Sequence, residues 1–146
     1  MVNFARMRVV EKNGKKEVYD PIRKKYVLLT PEEQVRQFVI EFLMEQCDVP
    51  AGYISVETGL KVYGNFCRTD LRVYNKRQEP VLLIECKQPA VELDAEVLEQ
   101  AMRYHLAGKE RFVLLTNGHS FRCYERLSSG EWKEWNCYPD WEEMND

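Results

Sequence analysis

The sequence predicts an α/β fold with one central mixed sheet, its elements following the order helix, three strands, helix, strand. Three observations predict it. Val81-Leu82-Leu83-Ile84 is an apolar run of the kind a central strand carries when both of its faces are buried. Two stretches open with helix-start chemistry, Thr30-Pro31-Glu32-Glu33 and Asp94-Ala95-Glu96. Asn-Gly pairs at Asn13-Gly14 and Asn117-Gly118 punctuate alternating segments, as hairpin turns do.

Taken in order, Arg8-Val9-Val10 and Glu17-Val18-Tyr19 read as hairpin strands around Asn13-Gly14. Thr30 caps a helix running to about Gln46, with Pro31 at its first position and Glu33 in a capping box. Its inward positions are Val35, Phe38, Val39 and Phe42. Pro50-Ala51-Gly52 breaks the chain. Residues 54 to 63 and 67 to 74 alternate as two strands, and 75 to 80 form a polar turn. Residues 81 to 87 make the third strand. Asp94 caps a helix to Ala107, with an apolar face of Val97, Leu98, Ala101 and Met102. Residues 111 to 116 are a buried strand, 121 to 125 its hairpin partner, and 132 to 138 an added edge strand.

The chain of 146 residues is 45% hydrophobic, enough for one core, and is read as a single domain. Within it, 1–29 form a basic extension, 30–126 the core and 127–146 an acidic extension. No run approaches the eighteen apolar residues of a membrane span, and the start has no signal-peptide h-region. Five cysteines without Cys-x-x-Cys spacing fit reduced thiols in a cytoplasmic protein, with Cys67, Cys86 and Cys123 as small buried hydrophobes. That spacing also argues against a zinc site.

The net charge of −3 argues against a strong nonspecific binder of nucleic acid, but it is uneven. Residues 1–29 carry +5 and residues 127–146 carry −5. Arg6, Arg8, Lys12, Lys15, Lys16, Arg23, Lys24 and Lys25 could therefore follow a phosphate backbone, or form a solvated arm.

The chemistry concentrates in Arg68-Thr69-Asp70-Leu71 and Glu85-Cys86-Lys87. Strand residues two apart share a face roughly 6–7 Å from each other, so Glu85 and Lys87 point together and Cys86 points away. For Glu-x-Lys alone, a salt-bridged strand end is the simpler reading. On the following helix Gln100 and Tyr104 lie four apart, on the side of Val97 and Ala101, which turns them toward the sheet. A core-bordering Gln and Tyr is the plainer account of those two.

Asp70, Glu85-x-Lys87 and Gln100-x-x-x-Tyr104, taken together, resemble the PD-(D/E)xK nuclease superfamily. More narrowly, the chain resembles the N-terminal nuclease domain of type I restriction enzyme R subunits. The matching stretches are residues 20–27, 30–37, 68–71, 84–87 and 116–118. Thr69 stands where the superfamily name has Pro, which leaves the ligand Asp70 in place.

The resemblance implies a restriction-endonuclease-like αβββαβ core and a Mg²⁺- or Mn²⁺-dependent deoxyribonuclease. Asp70 and Glu85 would be the metal carboxylates, with the Cys86 backbone carbonyl as a further oxygen. Lys87 would orient water or stabilise the pentavalent phosphorus. Gln100 and Tyr104 would support it, and a first-helix glutamate would complete it. Glu33 is the first choice by resemblance, while Glu32 shares the stripe of Val35 and Val39. The implied partners are DNA, other restriction subunits and a second copy of the chain, with no membrane.

The resembled R subunits carry a translocase motor besides this domain. A non-catalytic DNA-binding or assembly module is therefore the alternative. His105 and His119 are candidate acid–base groups, but each reads more simply as a surface or half-buried histidine. Trp132, Trp135 and Trp141 read as closing the edge of the core or meeting a partner.

Overall fold

A computed structural model of the chain describes residues 7–56, 60–62, 65–67, 71–106 and 108–146, with side chains for all of these except 60–62 and 65–67. The N-terminal hairpin gains a third strand. β1 (Val9–Lys12), β2 (Lys15–Asp20) and β3 (Lys25–Leu28) form an antiparallel meander. Asn13 at φ 53° and Gly14 at φ 76° supply the two left-handed residues of a type I′ turn. Asp20 makes the second turn by accepting the amides of Ile22 (2.7 Å) and Arg23 (3.0 Å).

Helix α1 (Pro31–Glu45) starts where expected. Thr30 accepts the amide of Glu33 at 3.0 Å, and Pro31 sits in the first turn. The reciprocal half of the capping box is not made, because the Glu33 carboxylate is held by arginines instead. Val35, Val39, Ile40 and Leu43 are buried.

A single 3-10 turn (Ala51–Tyr53) leads to β4 (Ile54–Val56), then β5 (Leu60–Val62), β6 (Asn65–Cys67), β7 (Leu71–Tyr74) and β8 (Pro80–Cys86). β4 pairs with β7 and β5 with β6 in one antiparallel register, as expected for two strands over 54–74, with 57–59, 63–64 and 68–70 outside the described residues. Helix α2 (Ala95–His105) is capped by Asp94, which accepts the Val97 amide at 3.0 Å. β9 (Phe112–Thr116), β10 (Phe121–Arg126), β11 (Trp132–Trp135) and the short α3 (Trp141–Met144) follow.

The main sheet has the order β11-β10-β9-β8-β7-β4, and its β8–β9 pair is parallel while the other neighbours are antiparallel. This is a mixed α/β architecture with a central mixed sheet flanked by helices. α1 packs on the face of Leu82, Ile84, Cys86, Phe112 and Leu114. α2 packs on the opposite face through Ala101 against Val113 and Leu115. β11 adds to the sheet edge, and Met144 of α3 is buried in the core, so the acidic end closes the domain.

The tryptophans do that closing. Trp135 meets Phe112 edge-on, Trp141 lies against Tyr53, and Trp132 stacks under Arg126. Cys86 and Cys123 are buried as expected, and burial pushes the Cys123 thiol up to about 12. No helix among the described residues is long and apolar enough to cross a membrane.

Candidate active site

β8 carries the candidate residues Glu85 and Lys87 past the middle of the sheet to its carboxyl end. Leu83 pairs with Val113 and Glu85 with Leu115, so these positions and Lys87 lie on the α2 face, while Cys86 faces the α1 core. The strand's ladder extends one residue further, because the Lys87 amide donates to the Thr116 carbonyl at 2.8 Å. Lys87 Nζ lies 3.3 Å from Glu85 Oε2; the glutamate side chain is 12% exposed and the lysine 36%. One end of the pair is sheltered by the sheet and the other reaches solvent. Open α/β sheets present bound ligands at such carboxyl strand ends.

The loops at this end are tied together by Asn117, which is nearly buried. Its Nδ2 donates to the Val91 carbonyl at 2.8 Å, joining the segment after β9 to the segment after β8. Its Oδ1 accepts the amides of His119 and Ser120, both at 2.9 Å. Gly118, at φ 90°, gives the turn the left-handed residue it needs. His119 is exposed, in line with the surface reading.

Behind the pair, on the α2 face, stands a buried polar group around His105. His105 is 4% exposed, and its Nε2 lies 3.9 Å from Glu85 Oε1. Burial pushes the His105 imidazole down to about 4; the Glu110 carboxylate opposes that, and the cations of Arg72, Lys87 and Arg126 add to it. Arg72 shares the face of Leu83 and holds Glu110 across a 3.0 Å ion pair.

Arg126 fixes the end of α2. Its guanidinium donates to the carbonyls of His105 (2.9 Å), Leu106 (3.2 Å) and Glu110 (3.4 Å), and stacks 4.4 Å above the Trp132 ring. Gly108 lets the following loop close over Glu110, since a Cβ there would fall 2.5 Å from its Oε2. The surface reading of His105 is therefore overturned: the helix turns this residue inward.

That same rotation corrects the expectation for Gln100 and Tyr104. Both are exposed, Tyr104 at 46%. The buried residues of α2 are Ala101 and His105. At about 100° per residue, a face centred between those two leaves Tyr104 at its margin and Gln100 beyond it. Neither side chain points at the sheet.

The first-helix glutamates are also placed differently. Glu33, not Glu32, is the inward one, 5% exposed. Its Oε1 accepts from Arg23 (2.8 Å) and Arg36 (2.5 Å), and its Oε2 from Gln37 (3.1 Å). Glu32 is partly exposed, 3.7 Å from Arg36. Arg23 is likewise committed, bonded through Nε to Asp20 at 2.6 Å as well as to Glu33. The contacts of Glu33 thus join α1 to the N-terminal sheet.

Burial alone would raise the Asp20 pKa, but the amides of Arg23 and Ile22 and the Arg23 side chain outweigh it and hold the carboxyl below its ordinary 3.8. Lys15, Lys16, Lys24 and Lys25 are all exposed, whereas Arg23 is not available as a surface cation. Asp70, with Arg68 and Thr69, and Arg6 in the basic stretch lie outside the described residues. Among the described residues no three His, Cys, Asp or Glu side chains cluster as a metal site.

Residues 31–139 match the sequence profile of a family described as the type I restriction enzyme R protein N terminus. A solved fragment described as an HsdR subunit of a type I restriction enzyme, from Vibrio vulnificus YJ016, superposes with a TM-score of 0.56 at 20% identity, over 80% of this chain and 24% of that one. The chain thus spans about a quarter of that structure's length, and the likeness is one of fold. No curated protein matches the chain. The matched segment runs from the first residue of α1 past β11 and takes in both Glu85 and Lys87, and on that extent the chain belongs to the family of type I restriction enzyme R protein N-terminal domains.

Proposed function

We propose that this domain is a metal-dependent DNA endonuclease of the PD-(D/E)xK kind, acting within a restriction system. The observation that carries the reading is the Glu85 and Lys87 pair, 3.3 Å apart at the carboxyl end of the buried central strand. A carboxylate and an ammonium held part-buried at a strand end are costly unless they serve one another or a ligand.

The donor set fits a hard divalent cation such as Mg²⁺ or Mn²⁺. Glu85 presents a carboxylate at the strand end, whereas Glu110 on the same face is committed to Arg72. The proposal takes Asp70 as the second carboxylate and the Cys86 carbonyl as a further oxygen. Asp70 directly precedes Leu71, whose strand partner Ile84 directly precedes Glu85. A bound divalent ion would neutralise charge at the phosphorus and make the attacking water more acidic.

The chain's own residues do the rest. Lys87, with its ammonium reaching solvent, donates to a non-bridging phosphate oxygen as negative charge grows there. Gln100 and Tyr104, exposed on α2, take the rim role of contacting the DNA strand rather than the reacting atoms. Glu33 is assigned to holding the N-terminal sheet. The exposed Lys15, Lys16, Lys24 and Lys25 supply phosphate contacts, and Arg23 supports the turn that presents the last two.

The test pairs calorimetry with cleavage of duplex DNA in Mg²⁺ or Mn²⁺. Asp70→Ala and Glu85→Gln should each lose the metal-binding event and the cutting. Variants that bind metal and cut like the wild type would leave the Glu85–Lys87 pair as a structural ion pair, and the domain as a DNA-binding or assembly module.

A further inference from the structure

The His105 imidazole is a buried group beside the proposed centre that this function does not use. Its Nε2 has no hydrogen-bond partner, is sealed from solvent, and faces Glu85 Oε1 at 3.9 Å. Leaving such a nitrogen unpaired costs about 1–3 kcal/mol, and 3.9 Å is about 1 Å longer than an N–H···O bond. Closing that gap takes about 1 Å of side-chain movement.

We propose that His105 is a positioning residue for Glu85: it donates from Nε2 to Oε1 and so keeps Oε2 turned toward Lys87 and the open end of the strand. This rests on the nuclease reading of Glu85.

Three observations support it. First, the histidine is delivered rigidly, because Arg126 ties the carbonyls of His105 and Leu106 to β10 and stacks on Trp132. A group that merely filled space would not need its helix end fixed by a bridging guanidinium. Second, the His105 side chain is 5% exposed and the Glu85 side chain 12%, so a bond between them is shielded from water. Third, Glu110, another carboxylate on this face, is already held by Arg72 at 3.0 Å.

Two measurements test the proposal. Nitrogen-15 spectra of the metal-free protein should show His105 protonated at Nε2, with a resonance that moves in Glu85→Gln. A bare Nε2, or a resonance indifferent to Glu85→Gln, overturns the proposal whatever the domain's activity. Calorimetry with Mn²⁺ and DNA cleavage should show His105→Leu weakened about tenfold or more in both, the scale of losing a ligand's supporting partner. His105→Gln, which keeps an N–H donor, should recover most of the loss. It also serves if the leucine variant does not fold. Wild-type Mn²⁺ affinity in His105→Leu, with Glu85→Gln inactive, overturns the positioning role while sparing the nuclease reading. Unchanged metal binding and cutting in Glu85→Gln overturns the nuclease reading, and the nitrogen-15 result then decides the His105–Glu85 link alone.

Discussion

Lys87 is anchored through its backbone and part-exposed at its tip. Its amide completes the ladder to Thr116, while its side chain is three times as exposed as that of Glu85, 36% against 12%. Replacing the side chain therefore leaves the ladder intact. Lys87→Ala should keep the fold and the metal affinity and lose on the order of 10²-fold in cleavage rate, the scale of removing one electrostatic donor. A single-turnover assay checks it, and an alanine variant that cuts at the wild-type rate would make Lys87 only the glutamate's salt-bridge partner. Asp20 gives a prediction in pH. Its carboxyl is held below 3.8, so the folded state binds its proton less readily than the unfolded chain does. The stability it contributes is present above that pH and is lost as pH falls through the folded-state value. Asp20→Asn should be less stable at neutral pH and should show a shallower acid limb in urea midpoints taken from pH 7 to pH 3. Parallel acid limbs in the two proteins would contradict this. Asp70 lies outside the described residues, whereas that Glu85 and Lys87 point together could be read from the sequence because strand parity sufficed. His105, Arg72, Glu110 and Arg126 could not, since their meeting depends on contacts between β7, the loop before β9, and β10.

Among the elements, α2 shows what periodicity does and does not decide. Its start at Asp94, its extent and its apolar residues were all legible. Its rotation was not, because Val97 and Ala101 form a stripe that Tyr104 also borders. Contact with Val113 and Leu115 centres the face on Ala101 and His105. The C-terminal anchor of that rotation is Arg126. Arg126→Gln removes most of its carbonyl contacts and the stack on Trp132, and should cost about 2 kcal/mol, in the range for a charged hydrogen-bond donor. Urea denaturation measures it, and a loss below about 0.5 kcal/mol would mean that packing alone sets the helix. β3 escaped the sequence reading for a different reason. Lys24 adopts φ 56°, a left-handed conformation uncommon outside glycine, so the turn before β3 carries no glycine signal. The pairing of 54–56 with 71–73 and of 60–62 with 65–67 was legible, since alternation runs through both and Gly64-Asn65 marks the turn.

At the level of the whole molecule, charge is separated along the chain and the basic part is a folded sheet, not an arm. Lys15, Lys16 and Lys25 stand exposed on that sheet and Lys24 on the turn before β3, and Arg23 and Glu33 fasten the sheet to α1. Their geometry is therefore fixed before any DNA arrives. Duplex binding should weaken steeply with salt, and each phosphate contact removed should reduce the log–log slope by roughly 0.9. Neutralising all four lysines should weaken DNA binding and leave metal affinity unchanged. Fluorescence anisotropy across a salt series checks this, and a slope unchanged in the quadruple variant would assign the DNA contacts elsewhere.

The parallel pairing of β8 with β9 also bears on how the chain folds. The hairpins of the N-terminal sheet close over a few residues, whereas Leu82 meets Phe112 only after thirty residues of crossover. Loop closure makes such a contact slower to form than a hairpin. The Lys87-to-Thr116 bond lies at the end of that pair, so the site-bearing strand end should be completed late. Hydrogen exchange during refolding should then protect the β1–β2 amides before those of residues 113 to 116.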